Sequence, residues 1–237
     1  NQVTKGNYEV TEVNGVDEVN KRIYFTMAYP RPMDRNLFVT DFSGKKTYQL
    51  TQGEAWHRTV FDDNFTQYYC YRSDLNTPQV VTVNEIVVDK KKNISAKPVK
   101  TVNESAKQKE KLLEYGYGKA EFISVPNSKG DTLNGWMLKP AGFDPAKKYP
   151  VLFCNYGGPG SQQVGNRFGA VSPWHQLLSQ KGFIVVSVDN TGTGYRGEEF
   201  KKKTYLQLGK FEIEDQIDAA KWLSKMSFVD GNNIGHW

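Results

Sequence analysis

The chain has 237 residues, of which 38% are hydrophobic and 24% charged. That composition excludes a disordered chain and allows one large domain or two smaller ones. The net charge of +5 comes from scattered lysines without an RNA-binding motif or zinc-finger spacing, so nucleic-acid binding is the least favoured class. No apolar run reaches the length of a membrane span, and the first residues lack signal-peptide character.

The first part of the chain, to about Val88, predicts an antiparallel β-meander. Short apolar stretches recur at intervals of about ten residues, as in sandwiches, barrels and propellers. The predicted strands are Arg22–Thr26, Leu37–Thr40, Tyr48–Thr51, Thr59–Phe61, Gln67–Tyr71, Val80–Val83 and Ile86–Val88. Turn-forming residues separate them at Asn14-Gly15, Phe42-Ser43-Gly44, Asp62-Asp63-Asn64 and Asp74–Pro78.

A polar segment and a helix follow the meander. The lysine-rich stretch Lys90–Val102 predicts a loop or a sheet edge. A helix is expected to open at Asn103-Glu104-Ser105, with Leu112 and Leu113 as its main apolar contacts. It should end at Tyr115-Gly116-Tyr117-Gly118, because glycine is common just after a helix.

From Ala120 the pattern becomes that of an α/β sheet. Strands are predicted at Glu121–Val125 and Thr132–Leu138, around a turn at Asn127–Asp131. Two runs, Pro150–Cys154 and Phe183–Val188, are apolar on both faces and therefore belong in the middle of a covered sheet. Helices are predicted at Trp174–Lys181 and Phe211–Met226, and Asn233–Trp237 begins another strand. The buried stripe predicted for the second helix is Ile213, Ile217, Ala220 and Leu223.

The two cysteines contribute little to this organisation. Cys70 lies in the meander and Cys154 in an apolar strand of the second part, so we expect no disulfide between them. Cys154 is predicted to be a buried thiol.

Two loops should lie at the carboxyl edge of the α/β sheet, where ligands bind in such folds. The first, Asn155–Gln162, places the hydroxyl of Tyr156 and the backbone N–H groups of Gly-Gly-Pro-Gly above the sheet, which suits an oxyanion. Taken alone, an aromatic at this position is more often a packing residue.

The second loop, Asp189–Gly197, has a G-x-G-x-x-G spacing at Gly192, Gly194 and Gly197. A dinucleotide fingerprint would need a helix at once and an acidic residue after a following strand. A lysine-rich stretch follows instead, so a glycine-rich turn is the favoured interpretation.

Several ordered motifs of the second part resemble a known family. They are Leu133–Met137, Lys148–Val151, Tyr156–Gln162, Val186–Asn190 and Leu208–Ile217. Together they look like the start of the catalytic domain of dipeptidyl peptidase IV and its prolyl-oligopeptidase relatives. Phe228-Val229-Asp230 with Ile234–Trp237 matches the approach to that family's Gly-Trp-Ser-Tyr-Gly-Gly nucleophile elbow. More loosely, Tyr8–Thr11 and Arg22–Phe25 resemble the last blades of its propeller.

The resemblance implies terminal blades of a β-propeller followed by the first half of an α/β-hydrolase domain. The corresponding division is a partial propeller over 1–102, a linker helix over 103–118 and the truncated catalytic domain over 119–237. One departure is Thr191, where many family members have arginine after the Asp-Asn pair. It puts in doubt any polar contact of that side chain, but not the fold.

By resemblance, Tyr156 is the one catalytic residue that the chain holds, as a hydroxyl donor of the oxyanion hole. The serine nucleophile, the aspartate that orients the base and the histidine base, which follow one another in that chain order, are not in this stretch. His57, His175 and His236 are expected to be structural, and Gly160-Ser161-Gln162 is not a nucleophile elbow. The paired glutamates that hold the substrate amine in the family would lie upstream of Asn1.

The predicted function is therefore that of a serine exopeptidase, which releases N-terminal dipeptides with penultimate proline or alanine through an acyl-enzyme. This stretch alone should be inactive. A tripeptidyl or acylaminoacyl peptidase of the same superfamily is the near alternative. A non-catalytic binding module or pseudoenzyme is the alternative from another class.

The resemblance implies neither a metal nor an organic cofactor. The implied partners are a peptide substrate and the remainder of the same polypeptide. Members of this family are commonly extracytoplasmic, in the periplasm or at the cell surface, and often form homodimers.

Overall fold

The computed structural model describes residues 2–237, which divide into two compact units. The first unit runs to Glu110 and includes Gly165–Phe168, and the second comprises Lys111–Val164 and Gly169–Trp237. Helix α1 (Ala106–Glu114) spans the point where the chain passes from one unit to the other.

The first unit consists of two four-stranded antiparallel sheets, each ordered as its strands occur in the chain. The first sheet holds β1 (Val10–Asp17), β2 (Arg22–Met27), β3 (Asn36–Asp41) and β4 (Thr47–Gln49). The second holds β5 (Trp56–Phe61), β6 (Gln67–Ser73), β7 (Val80–Val88) and β8 (Ile94–Asn103). Tyr24, Leu37 and Val39 of the first sheet share a buried core with Tyr68 and Cys70 of the second. The predicted meander is thus confirmed.

Details of the meander differ from the prediction at two places. Asn14-Gly15 is not a turn but lies inside β1, whose register with β2 shifts near Gly15. The ring of Phe65 packs against this glycine, where an added Cβ would lie 2.3 Å from the Phe65 Cε1 atom. The stretches Val80–Val83 and Ile86–Val88 are one continuous strand, β7, which pairs with β8. Most of the predicted loop or edge Lys90–Val102 is therefore the edge strand β8.

Helix α1 is held by hydrogen bonds at its ends rather than by apolar packing. The Ser105 hydroxyl donates to the carbonyl of Gln79, and the Gln180 amide donates to the carbonyl of Tyr115. Leu113 is exposed, so its predicted apolar contact is wrong, whereas Leu112 is half-buried and no residue of the helix is fully buried.

The second unit contains a five-stranded sheet in the order β13-β11-β12-β10-β9. Its strands are β9 (Ala120–Pro126), β10 (Thr132–Leu138), β11 (Tyr149–Phe153), β12 (Ile184–Asp189) and β13 (Val229–His236). Its helices are α2 (Pro173–Gln180), α3 (Glu198–Lys202) and α4 (Lys210–Leu223). Strands β13, β11 and β12 are mutually parallel, whereas β10 runs antiparallel to β12 and β9 runs antiparallel to β10.

The centre of this sheet follows the sequence pattern closely. Every residue of β12 is buried, as expected for a strand covered on both faces. The turn predicted at Asn127–Asp131 is present, and the Asn127 side chain accepts hydrogen bonds from the backbone N–H groups of Lys129 and Asp131.

The buried face of α4 is only partly the predicted one: Leu223 is buried and Ala220 packs against the core, as expected. Ile213 and Ile217 are exposed, and the buried residues are Asp215, Ala219 and Leu223. These three are spaced by four residues and share one helical face. The helix turns this face inward because Asp215 accepts hydrogen bonds from the Asn127 side chain and the Thr191 backbone.

Candidate active site

Two loops meet at the carboxyl ends of the central strands of the second unit. The tyrosine loop, Asn155–Gln162, follows β11, and the glycine loop, Asp189–Gly197, follows β12. The Gly160 N–H donates to the Gly192 carbonyl (2.8 Å), and the Gly194 N–H donates to the Ser161 carbonyl (2.9 Å). A Cβ on Gly194 would lie 2.8 Å from the Gly160 carbonyl oxygen. The glycines of the second loop therefore permit its close approach to the first.

Tyr156 lies near the start of the tyrosine loop and is 74% exposed. Its ring lies against Gly158, where an added Cβ would come 2.4 Å from the Tyr156 Cε1 atom. Gly157, between them, has φ +73°, a conformation that glycine adopts without strain. The backbone thus presents the phenol to solvent at the carboxyl edge of the sheet, where ligands bind in folds of this kind. The catalytic role of Tyr156 stays a prediction.

A small pocket of about 220 Å³ opens beside Tyr156. Its lining includes Trp237, directly after β13, together with Trp136, Cys154 and His175. Trp136 is 1% exposed, and its indole nitrogen has no hydrogen-bond partner among residues 2–237. The end of β13 and the tyrosine loop therefore border the same cavity.

The strand order explains this proximity. Strand β13 pairs in parallel with β11, with His236 opposite Phe153, and the Trp237 N–H donates to the Phe153 carbonyl (2.9 Å). The His236 ring stacks on that of Phe153 at 4.4 Å between centroids. Parallel neighbours end at the same sheet edge, so β11 and β13 both point their carboxyl ends toward the pocket.

A buried carboxylate, Asp189, fixes the far end of the tyrosine loop. Its two oxygens accept hydrogen bonds from the backbone N–H groups of Gln163 (2.8 Å) and Val164 (3.1 Å). Burial raises the pKa of Asp189 to about 6, although these N–H groups and the positive charge of Arg196 act in the opposite direction. Burial also lowers the pKa of Arg196, whose guanidinium lies 3.9 Å from the Phe200 ring centroid.

A second buried carboxylate, Asp215 of α4, holds the glycine loop. It accepts hydrogen bonds from the Thr191 backbone N–H (2.6 Å) and from the Asn127 side chain (2.9 Å). Thr191 itself is fully buried, and its hydroxyl has no hydrogen-bond partner in the described part of the chain. The residue that departs from the family pattern is thus anchored through its backbone.

The three histidines occupy separate places. His57 lies in β5 of the first unit, where its Nδ1 contacts the Arg35 carbonyl at 2.8 Å and burial lowers its pKa to about 4. The His175 Nδ1 accepts a hydrogen bond from the Ser172 N–H at the start of α2. Burial lowers the pKa values of His175 and His236 as well.

Two further predicted features can be placed. The Ser161 hydroxyl donates to the Gly158 carbonyl at 2.6 Å, so it forms part of the tyrosine loop's own hydrogen bonding. Both cysteines are free and buried, which confirms that no disulfide joins them. Within residues 2–237, no helix combines the length and apolar character needed to cross a bilayer.

Sequence reasoning missed three residues that support the tyrosine loop. These are the amides Asn155, Asn190 and Gln216, which hydrogen-bond to one another. All three occur in or beside motifs noted in the sequence, but nothing in the sequence indicates that they meet.

Comparisons with known proteins agree with this architecture. Residues 1–79 match the family model described as the dipeptidyl peptidase IV (DPP IV) N-terminal region. Residues 170–237 match the model of the prolyl oligopeptidase family. Tyr156 lies between the two matched stretches.

Full-length relatives align over nearly the whole chain. The dipeptidyl peptidase 4 of Trichophyton rubrum is 33% identical over 239 residues, covering 99% of this chain and 30% of that protein. The probable dipeptidyl peptidase 4 of Aspergillus flavus is 31% identical over 241 residues, with the same coverages. The crystal structure of Porphyromonas gingivalis dipeptidyl peptidase 4 superposes with a TM-score of 0.88 at 36% identity, covering 99% of this chain and 32% of that chain.

These findings define the class of protein to which the fold corresponds. The chain combines propeller-type antiparallel sheets with part of an α/β-hydrolase domain of the prolyl oligopeptidase type, so the predicted fold class is confirmed. More narrowly, the chain is similar over nearly its whole length to members of the dipeptidyl peptidase IV family. It spans about a third of the length of these relatives.

Proposed function

We propose that this chain is part of a serine exopeptidase that releases dipeptides from peptide N-termini after a penultimate proline or alanine. The observation that carries the proposal is the exposed Tyr156 at the carboxyl end of β11, bordering one pocket with Trp237 at the end of β13. In the family that this chain resembles, the nucleophile elbow follows the strand equivalent to β13. The names of the relatives, dipeptidyl peptidase 4, support the same reaction.

In this mechanism the chain supplies one catalytic group. As the nucleophile attacks the substrate carbonyl, negative charge develops on the carbonyl oxygen, and the Tyr156 hydroxyl donates a hydrogen bond to it. The donor is most effective when it is already in place, because no reorganisation is then needed in the transition state. The proposal assigns the nucleophile, the base and the orienting acid to other parts of the full-length protein, so this stretch by itself is proposed to be inactive.

The proposed division of the chain is a partial propeller over 1–102, a linker helix over 103–118 and the catalytic domain from 119 onward. We further propose that the full-length protein acts outside the cytoplasm, as family members commonly do. We also propose that the full-length protein forms a homodimer.

The test is a comparison of three chromogenic amides with the full-length protein: Gly-Pro, N-acetyl-Ala and Ala-Ala-Pro anilides. We expect turnover of the Gly-Pro amide alone, abolished by a serine-directed phosphonofluoridate, because a dipeptidyl peptidase requires a free amine two residues before the cleaved bond. Preference for the acetylated amide would assign an acylaminoacyl peptidase. Preference for the tripeptide amide would assign a tripeptidyl peptidase. Neither turnover nor covalent labelling would identify a non-catalytic module and overturn the proposal.

A further inference from the structure

Three side-chain amides form a connected chain of hydrogen bonds beneath the tyrosine loop. The Asn155 Nδ2 donates to the Gln216 Oε1 (2.7 Å), and the Gln216 Nε2 donates to the Asn190 Oδ1 (3.3 Å). The Asn190 Nδ2 then donates to the Gly157 carbonyl (3.0 Å). This series of hydrogen bonds therefore begins at the residue before Tyr156, passes through helix α4, and returns to the residue after Tyr156.

Backbone groups fix the orientation of all three amides. The Asn155 Oδ1 accepts from the Val188 N–H (2.9 Å), which can only donate, so its Nδ2 must face Gln216. The Gln216 Nε2 in turn donates to the Val188 carbonyl (3.0 Å), which can only accept. At the other end, the Asn190 Nδ2 faces two carbonyls, those of Gly157 and Thr191 (2.8 Å). No amide can be reversed without placing two donors or two acceptors together.

The Tyr156 side chain depends on this support. Its residue is 74% exposed, so its place is set mainly by the backbone on either side rather than by surrounding side chains. Gly157 is held at φ +73°, and an added Cβ there would lie 3.0 Å from the Asn190 Oδ1. Asn190 is fully buried and cannot move aside. Displacement of either flanking residue would therefore carry the phenol with it.

We propose that Gln216 and Asn190 are positioning residues that set the location of the Tyr156 hydroxyl. This inference rests on the proposed function, since it assigns Gln216 an effect on the reaction through Tyr156. Gln216 joins both flanks of Tyr156 to helix α4 and has no contact with the reacting atoms in this account. Its loss should lower the rate of the chemical step while substrate binding stays nearly unchanged.

The experiment uses the full-length enzyme with the Gly-Pro anilide. Gln216→Met keeps the length and helix propensity of the side chain but removes its three hydrogen bonds. A displacement of about 1 Å can cost about 10²-fold in rate. We expect kcat to fall by about 10- to 100-fold and KM to change by less than about 3-fold.

A matched control is available in the same unit. Gln176 of α2 is 5% exposed and exchanges two hydrogen bonds with the backbone of Gly118, and neither residue belongs to either loop. Gln176→Met should therefore lower the melting temperature by a similar amount yet leave kcat within about 2-fold of wild type. If Gln216→Met does not fold, Gln216→Glu serves instead. The glutamate keeps an acceptor oxygen for the Asn155 Nδ2 but places its other acceptor oxygen against two further acceptors, the Val188 carbonyl and the Asn190 Oδ1. This variant should therefore show the same loss of kcat.

The decisive comparison is a double-mutant cycle with Tyr156→Phe. If Gln216 acts through the Tyr156 hydroxyl, its substitution should have almost no further effect on kcat once that hydroxyl is absent. An undiminished loss in the Tyr156→Phe background would overturn the positioning role and leave the proposed function standing. An unchanged kcat in Gln216→Met would do the same. Near-normal turnover in Tyr156→Phe alone would instead overturn the proposed role of Tyr156, and the inference with it.

Discussion

Replacement of Asp215 by asparagine tests how the buried face of α4 holds the glycine loop. The carboxylate accepts one hydrogen bond from the Thr191 N–H (2.6 Å) and one from the Asn127 Nδ2 (2.9 Å). Asparagine has the same shape but only one acceptor oxygen. In either orientation its NH2 group would face one of these two donors, and the 0%-exposed site leaves no room for the displaced group to reach solvent.

The magnitude follows from the hydrogen bonds lost. A hydrogen bond to a charged group contributes about 1.5–3 kcal/mol, and Asp215→Asn removes at least one. Each 1.4 kcal/mol corresponds to about a tenfold change in an opening equilibrium, so the Thr191 amide should lose protection by about 10- to 150-fold.

Asp218 supplies the control on the same helix. It is half-buried, but the hydrogen bond that it accepts from the Ser128 N–H (2.8 Å), in the same turn as Asn127, is exposed to solvent. Water can replace the acceptor there, so Asp218→Asn should change the protection of Thr191 by less than about 5-fold.

The assay is hydrogen–deuterium exchange by mass spectrometry, followed in peptides that cover the glycine loop. We expect faster exchange of this loop in Asp215→Asn, and little change in Asp218→Asn. Equal effects of the two substitutions would contradict this prediction, because they would show that burial of the Asp215 carboxylate is not what holds the loop.

Three further predictions concern strain and titration. Gly157→Ala and Gly142→Ala both place alanine at a strained positive φ, but only Gly157 has a neighbour within 4 Å, the Asn190 side chain. Unfolding experiments should therefore show that Gly157→Ala destabilises the protein by about 1–3 kcal/mol more than Gly142→Ala, the usual cost of an overpacked contact. Burial raises the pKa of Asp189 from 3.8 to about 6, so the folded state keeps a proton that the unfolded chain releases. The free energy of unfolding of the second unit should therefore fall by about 3 kcal/mol as pH rises through that window, and Asp189→Asn should remove this slope. Burial lowers the pKa of His57 from 6.5 to about 4, so the free energy of unfolding of the first unit should decrease as pH falls between those values. A hydrogen-exchange profile in β5 that does not change over this pH range would contradict this prediction.

Much of the second unit could be predicted because its strands are locally consistent. The run Phe183–Val188 is apolar on both faces, and the observed β12 is buried at every position. The turn at Asn127–Asp131 follows from asparagine chemistry that acts within a few residues. The loops that carry the candidate site follow from where those strands end.

What could not be predicted depends on contacts between distant residues. The helical pattern of α4 favoured Ile213 and Ile217 as buried, but the carboxylate of Asp215 has two internal donors, one of them 88 residues earlier in the chain. Charged residues are seldom buried unless paired, and a sequence does not reveal the partner. Phe65 likewise keeps Gly15 inside β1 through packing rather than through turn chemistry.

The amide chain beneath Tyr156 illustrates the same limit. Asn155 and Gln216 are 61 residues apart, and each is an ordinary polar residue in its own segment. Only the parallel order of β11 and β12 under α4 brings them together. The position of Tyr156 at a strand end could be inferred from the sequence, whereas the means of holding it there could not.

The most direct test of the account is the Tyr156→Phe substitution in the full-length enzyme. We predict that kcat/KM for the Gly-Pro anilide falls by about 10²–10³-fold, as for the loss of one oxyanion donor. Affinity for a Gly-boroPro inhibitor, which forms a tetrahedral adduct, should fall in parallel, while the melting temperature stays near that of wild type. Near-normal turnover and inhibitor affinity in the folded variant would contradict the account and remove Tyr156 from the mechanism.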